Sequence, residues 1–250
     1  MAGNLTERLR QRELLVGTWV KTPSPIVCEV LSKSNLDVLA LDAEHAPFGR
    51  TELDSCLAIC AAKGMPALVR VPSADPSHIL NALDCGAAGV IVPHVSNPQS
   101  AAAAVKACHY GRGGRGYAGS TRAAGFAGRP IAEQLTLGRS QSSVILQIED
   151  VEAMTSLDEI AEVDGVDCLF VGRMDLTVSL GKTNADDPEV VAAVDKICAA
   201  GKRANVPVGM FVSDPAEAKH WIAKGASLFV LGSDQTFLLS GARSLLNAVK

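Results

Sequence analysis

The feature that most narrows the possible folds is a rhythm. Short apolar runs of strand length recur along the chain, and helical stretches lie between them. The runs fall near Leu14–Val20, Asp37–Asp42, Ala67–Val71, Gly89–Val92, Val144–Glu149, Val166–Val171, Val208–Val212 and Ser227–Leu231. Runs of this length, rich in Val, Ile and Leu, are characteristic of buried parallel strands. Three intervening segments open on a capping residue followed by proline. Ser73-Ala-Asp75-Pro76 precedes His78–Cys85, Ser96-Asn97-Pro98 precedes Gln99–Cys108, and Ser213-Asp214-Pro215 precedes Ala216–Lys224. The cap satisfies an orphan amide, and proline is tolerated in the first turn because its missing N–H would have no partner there. Gly86 and Gly225 follow as left-handed stops. Eight strands alternating with helices is the number that closes a TIM (β/α)8 barrel, an α/β fold. An open doubly wound sheet is the alternative. It calls for a glycine-rich dinucleotide turn after the first strand, and this chain has none.

Composition excludes several classes of function. The 250 residues, 48% of them hydrophobic, suffice for one well-buried domain spanning 1–250. A net charge of −4 gives no electrostatic case for a nucleic-acid partner. Met1–Arg12 is polar and lacks the apolar core of a secretory signal, and no apolar run reaches membrane-spanning length. The seven cysteines are scattered among Ala, Leu and Val, without a disulfide framework or a completed zinc pattern. They are expected to be small buried hydrophobes in a cytoplasmic protein.

One connection breaks the rhythm. Between the fourth and fifth runs lies a long Gly/Arg-rich segment, at about 110–142, that carries Arg112, Arg115, Arg122, Arg129 and Arg139. A connection of that length is functional or disordered. Glycine lets backbone amides approach an anion and arginine supplies charge. An anion site and a solvated loop are therefore both open for Arg112 and Arg115.

In a TIM barrel, chemistry sits at the C-terminal ends of the strands. Those ends carry Asp42-Ala-Glu44-His45, Arg70, Pro93-His94, Gln147-Ile-Glu149, Gly172-Arg173-Met174-Asp175, Val212-Ser213 and Gly232-Ser233-Asp234. An acid where a buried strand emerges must be solvated, paired or bound to a metal. Glu149 and Asp175 close successive strands, and oxygen-only ligation there suits a hard divalent cation. His45 has two acids within three residues, a setting for a general base. Arg70 ends an apolar run and needs an anion, either a substrate oxygen or Glu44 or Asp42. His94 either lines the site or makes a structural hydrogen bond. None of these strand ends offers the buried lysine that Schiff-base chemistry requires.

The set Asp42-x-Glu44-His45-Ala46-Pro47, Arg70, Asp84 before Gly86-Ala87, Gln147-Ile148-Glu149 and Gly172-x-x-Asp175-Leu176 resembles the class II, metal-dependent pyruvate aldolases of the HpcH/HpaI family. The resemblance runs from about Leu14 to Leu245. It implies a barrel of the phosphoenolpyruvate/pyruvate-binding type. The implied reaction is reversible cleavage of a 4-hydroxy-2-oxo acid to pyruvate and an aldehyde, as in the breakdown of aromatic or sugar acids. Glu149 and Asp175 would hold Mg2+, Mn2+ or Co2+. Gln147 would lie beside the oxo acid, Arg70 would stabilise the enolate oxygen, and amides of the Gly172, Met174 and Asp175 segment would hold the carboxylate. His45, oriented by Asp42, would be the base. Asp84 would reach a neighbouring subunit's site, which implies a homo-oligomer, a hexamer or trimer.

Two positions depart from the family pattern. Arg173 stands where many relatives have proline, and is expected either to bind a second acidic group on the substrate or to face solvent. Tyr110-Gly111-Arg112 replaces the commoner Tyr-Pro-Pro. Two alternatives stay open. One is a decarboxylase or a malyl- or citramalyl-type lyase using the same enolate site. The other is a non-catalytic barrel with Arg173 filling the carboxylate pocket.

Overall fold

The computed structural model describes residues 4–250, so the N-terminal polar segment is seen from Asn4 onward. Eight parallel strands form a closed barrel in chain order. They are β1 (Leu15–Val20), β2 (Val38–Asp42), β3 (Ala67–Arg70), β4 (Gly89–Val92), β5 (Ser143–Ile148), β6 (Cys168–Val171), β7 (Val208–Val212) and β8 (Ala226–Ser233). β8 closes on β1 through Leu15–Leu228 and Val16–Phe229. The helices begin where their caps direct. Asp75, Asn97 and Asp214 accept from the amides of Ser77, Ser100 and Ala216 at 2.8, 2.8 and 2.9 Å. Each helix starts at the proline itself, as Pro76–Asp84, Pro98–Cys108 and Pro215–Ala223, earlier than the apolar pattern alone suggests. Gly86 and Gly225 have φ of +96° and +102°, the left-handed stops expected of them.

Alternation along the strands sorts side chains into two cores. One face of each strand packs outward on the helices, as Leu39, Val69, Val90, Leu146 and Leu169 do. The other fills the barrel in layers, with Leu15, Val38, Leu68, Ile91, Ile145, Cys168 and Leu228. The helix Leu5–Arg10 closes the bottom. Its Leu5 and Leu9 join the inner core, and Thr6 Oγ1 lies 2.8 Å from Ser143 Oγ. The same inward parity continues upward to Trp19, Asp42, Arg70, Gln147 and Phe170, so the top layer of the barrel is polar and aromatic. That change of chemistry along one face positions the site.

The long connection between β4 and β5 is ordered by its own contacts. It contains the helix Ile131–Ser140, and Tyr110 bridges to Arg115. Arg115 is buried, donates to Asp84 Oδ1 at 2.5 Å and lies 4.6 Å from the Tyr110 ring centre. It is therefore neither a free anion site nor a solvated side chain. Arg122 donates to Asp54 at 3.0 Å, and Arg112 is exposed.

Candidate active site

Strand register builds the first element of the site. Asp42 and Arg70 are partners across β2 and β3, which places both side chains on the inner face. Arg70 Nε donates to Asp42 Oδ1 at 3.0 Å, and Arg70 Nη2 lies 2.9 Å from Asp42 Oδ2. The guanidinium sits 4.5 Å from the Trp19 ring centre. Asp42 is fully buried. Burial alone would raise its pKa, but the Arg70 guanidinium, the His45 amide and the Lys21 ammonium outweigh it and hold the carboxyl below its ordinary value. Glu44 behaves oppositely. Burial, assisted by the charge of Glu149, raises it despite Arg70 nearby. Glu44 Oε2 is 3.2 Å from Arg70 Nε yet accepts no hydrogen bond, because that single N–H is spent on Asp42.

The second element comes from β4, β5 and β6. Gln147 and Glu149 are each 1% exposed. Gln147 Nε2 donates to Glu149 Oε2, which leaves Gln147 Oε1 buried without a partner among the described residues. Glu149 Oε1 accepts from the His94 amide at 2.9 Å and lies 3.4 Å from His94 Nδ1. His94 also reaches Asp150 at 3.2 Å and Glu44 Oε1 at 3.7 Å. Partial burial lowers the imidazole pKa, but Glu149, Asp150 and Glu44 together raise it above its ordinary value. Gly172 must be glycine here, since a Cβ would meet Glu149 Oε2 at 2.5 Å.

Next to these groups lies a cavity of about 310 Å³ at the C-terminal rim. Arg70, Gln147, His45, Met174 and Asp175 line it, together with Trp19, Lys21, Phe170 and Phe211. The fit to a divalent cation rests on its donors. Ligand atoms of Glu44, His94 and Glu149 all lie within 4.8 Å of one another, and two buried oxygens beside them, on Glu44 and Gln147, accept no hydrogen bond. Two carboxylates and an imidazole this close, with spare oxygens beside them, can hold a divalent cation.

A family model described as HpcH/HpaI aldolase/citrate lyase matches residues 15–240. The chain belongs to this family. A hydroxypyruvate/pyruvate aldolase of Paraburkholderia phytofirmans is 33% identical to it over 254 residues, covering 98% of this chain and 97% of the relative. A 4-hydroxy-2-oxo-heptane-1,7-dioate aldolase of Salmonella typhimurium is 34% identical, covering 92% and 88%. The solved structure of an HpcH/HpaI aldolase/citrate lyase family protein from Burkholderia cenocepacia superposes with a TM-score of 0.93 at 37% identity, over 98% of both chains.

Against the expectations for an HpcH/HpaI barrel, several side chains are placed differently. Arg173 borders the cavity with its side chain 11% exposed, and its guanidinium turns to protein acceptors. Its Nε and Nη2 donate to Ala185 O at 3.1 and 2.9 Å, Nη2 to Asp186 at 2.6 Å and Nη1 to Glu217 at 2.5 Å. Four of its five N–H groups go to protein acceptors, so it clamps the rim helix Arg173–Ser179 to its neighbours while still bordering the cavity. Asp42 holds His45 through the backbone amide at 3.1 Å and leaves the half-exposed imidazole unoriented. The near group is Glu44, 3.8 Å from His45 Nε2. Asp84 ends a helix that leads into the bottom of β4, so it lies at the far end from this chain's own cavity. Asp175 borders the cavity from an exposed position, outside the compact Glu44–His94–Glu149 group. Trp19 and Lys21 were not foreseen. The signal was available, since Lys21 directly follows β1 just as His94 and Glu149 follow β4 and β5.

Proposed function

We propose that this chain is a divalent-cation-dependent aldolase that interconverts a 4-hydroxy-2-oxo acid with pyruvate and an aldehyde. The observation that carries the reading is Glu149: a carboxylate 1% exposed at a strand end, grouped with Glu44 and His94 and bonded to Gln147, which lines the cavity. Glu149 and Asp175 would hold the cation, with Gln147 beside the oxo acid. The cation would supply positive charge against the oxygen that becomes negative as the carbon–carbon bond breaks.

The chain's own residues would do the rest. Arg70, fixed by Asp42 and Trp19, offers a preorganised positive charge at the cavity wall. The first-turn amides of Met174 and Asp175 have no intrahelical acceptor and would receive the substrate carboxylate. Trp19, Phe170 and Phe211 would exclude water from the reacting atoms. His45, at the mouth, would take the proton of the C4 hydroxyl on Nε2 during cleavage and return it during addition.

The non-catalytic alternative needed Arg173 to block the pocket, and its guanidinium is tied elsewhere. Assembly is part of the same proposal. The last helix, Asp234–Val249, presents Phe237, Leu238, Leu239, Leu245, Leu246 and Val249 at 45–88% exposure, which supports a homo-oligomer. Seven free, buried cysteines suit a cytoplasmic setting. No helix among the described residues is long and apolar enough to cross a membrane.

The test is cleavage of a 4-hydroxy-2-oxo acid with Mn2+ or Mg2+ supplied. Activity should vanish with chelator and in Glu149→Gln. Full turnover in either case would overturn the proposal.

A further inference from the structure

We infer that a second cavity, at the end of the barrel opposite the candidate active site, binds the phosphoryl group of a small anion. It encloses about 480 Å³ and is lined by Arg10, Lys106, His109, Arg112 and Arg139, with Asp164 as the one acid in its wall. A volume of that size holds a small metabolite.

Separate segments bring the cations together. Arg10, Lys106 and Arg139 stand in the last turns of the helices Leu5–Arg10, Pro98–Cys108 and Ile131–Ser140, and Arg112 lies in the Gly/Arg-rich connection. A cation in a last turn is favourable by itself, because it complements the helix carbonyls. That accounts for three of them singly, but not for Arg112 or for their meeting at one cavity. Their charge is not cancelled. Lys106, Arg112 and Arg139 form no ion pair among the described residues. Arg10 donates through Nε to Asp167 at 2.8 Å, which fixes its stem and leaves its terminal nitrogens free among the described residues. Asp167 itself is committed to Arg10 and to the Val144 amide.

His109 registers the excess. Burial lowers its imidazole pKa, and although Asp167 opposes this, Arg139 and Arg10 lower it too, so it stays below its ordinary value. Its Nδ1 is buried without a hydrogen-bond partner among the described residues. In a chain of net charge −4, four cations gathered around one free acid mark a place for an anion. The charge exceeds what one carboxylate would neutralise. A phosphoryl group carries nearly two charges and three acceptor oxygens, and arginine meets such oxygens two at a time. Gly111 and Gly114 in the wall let backbone approach the same ligand.

Calorimetric titration and thermal unfolding test this, with inorganic phosphate and pyrophosphate compared against chloride at constant ionic strength. The wild type should bind both probes saturably and melt at a higher temperature as they bind. Affinity should fall about tenfold in the double variant Arg112→Gln, Arg139→Gln, whose two side chains are exposed and not needed for folding. Lys21→Met, which removes a cation from the other cavity, should leave affinity unchanged. Tighter binding of pyrophosphate would assign the cavity to a phosphorylated metabolite, and tighter binding of phosphate to the free ion. No saturable binding, or binding that the double arginine variant leaves intact, would overturn the inference. Binding lost in Lys21→Met would also overturn it, by placing the anion at the candidate active site.

Discussion

Buried and half-buried acids sit at both ends of this barrel and do opposite work. At the bottom, Asp37 and Asp167 each precede a strand. Asp37 accepts from the Val16 amide at 3.0 Å and from Arg8 at 2.6 Å, and Asp167 from the Val144 amide at 2.8 Å and from Arg10 at 2.8 Å. In both cases an acid bonds the neighbouring strand's backbone and an arginine of the helix Leu5–Arg10. Both oxygens of each are used, and the base of the barrel is stitched shut. At the rim, Glu44 and Glu149 lie close to each other and to His94, with spare oxygens on Glu44 and Gln147. Burial does not tell a structural acid from a functional one. The company each keeps does: an arginine and a strand amide at the bottom, a second carboxylate and an imidazole at the rim.

The largest expected effect breaks this comparison at the rim. Glu149→Gln should lower kcat by about 10³-fold, the scale lost when preorganised charge stabilisation is removed. Its melting temperature should not fall, since the change also relieves repulsion with Glu44. A large loss of stability would mean that Glu149 is a structural acid after all. Asp167→Ala is the mirror experiment. It strands Arg10 and the Val144 amide and should cost about 3 kcal/mol, reduced from the fully buried limit because Arg10 is half exposed. Denaturant unfolding would measure that cost, and kcat of the folded fraction should stay within about twofold.

Much of this contrast was legible in the chain. Strand count, helix starts and the acids at the rim follow from local pattern, because apolar period, caps and strand ends are written residue by residue. The bottom acids escaped notice, since Asp37 and Asp167 looked like ordinary strand-flanking polar residues. Their role depends on Arg8 and Arg10, about 30 and 160 residues away in sequence, brought near only by barrel closure. Arg173 and Arg115 escaped for the same reason. Nothing local distinguishes an arginine that binds substrate from one paired with Glu217, Ala185 or Asp84. Lys21 is a different case. Its position directly after β1 was informative, and only the first strand end went unread.

Arg173 sharpens the comparison within the rim, because it is the rim's own satisfied group. Arg173→Met should free the segment around Ala185 and the helix Pro215–Ala223 from the helix that carries Met174 and Asp175. The Michaelis constant for the oxo acid should rise about fivefold with kcat much less affected, as expected when ground-state and transition-state binding fall together. A drop in kcat with unchanged KM would instead place Arg173 in the chemistry.

The finest contrast lies between Asp42 and Glu44, two residues apart on one strand end. Asp42 has a folded pKa below its ordinary value. Its contribution to stability is therefore complete above the ordinary carboxylate range and is lost as pH falls through the lower folded value. Glu44 has a folded pKa above its ordinary value, because burial and Glu149 disfavour its charge. Its charged form costs stability at neutral pH, and that cost is relieved as pH falls through the raised value. Acidification of the chelator-treated protein should first relieve Glu44 and then neutralise Asp42, so that stability passes through a shallow maximum in weak acid. Glu44→Gln should flatten the rise on the neutral side, and Asp42→Asn the fall on the acid side. Unfolding free energies measured across that range separate the two limbs. A Glu44→Gln protein that keeps the neutral-side rise would show that Arg70, and not burial, governs Glu44.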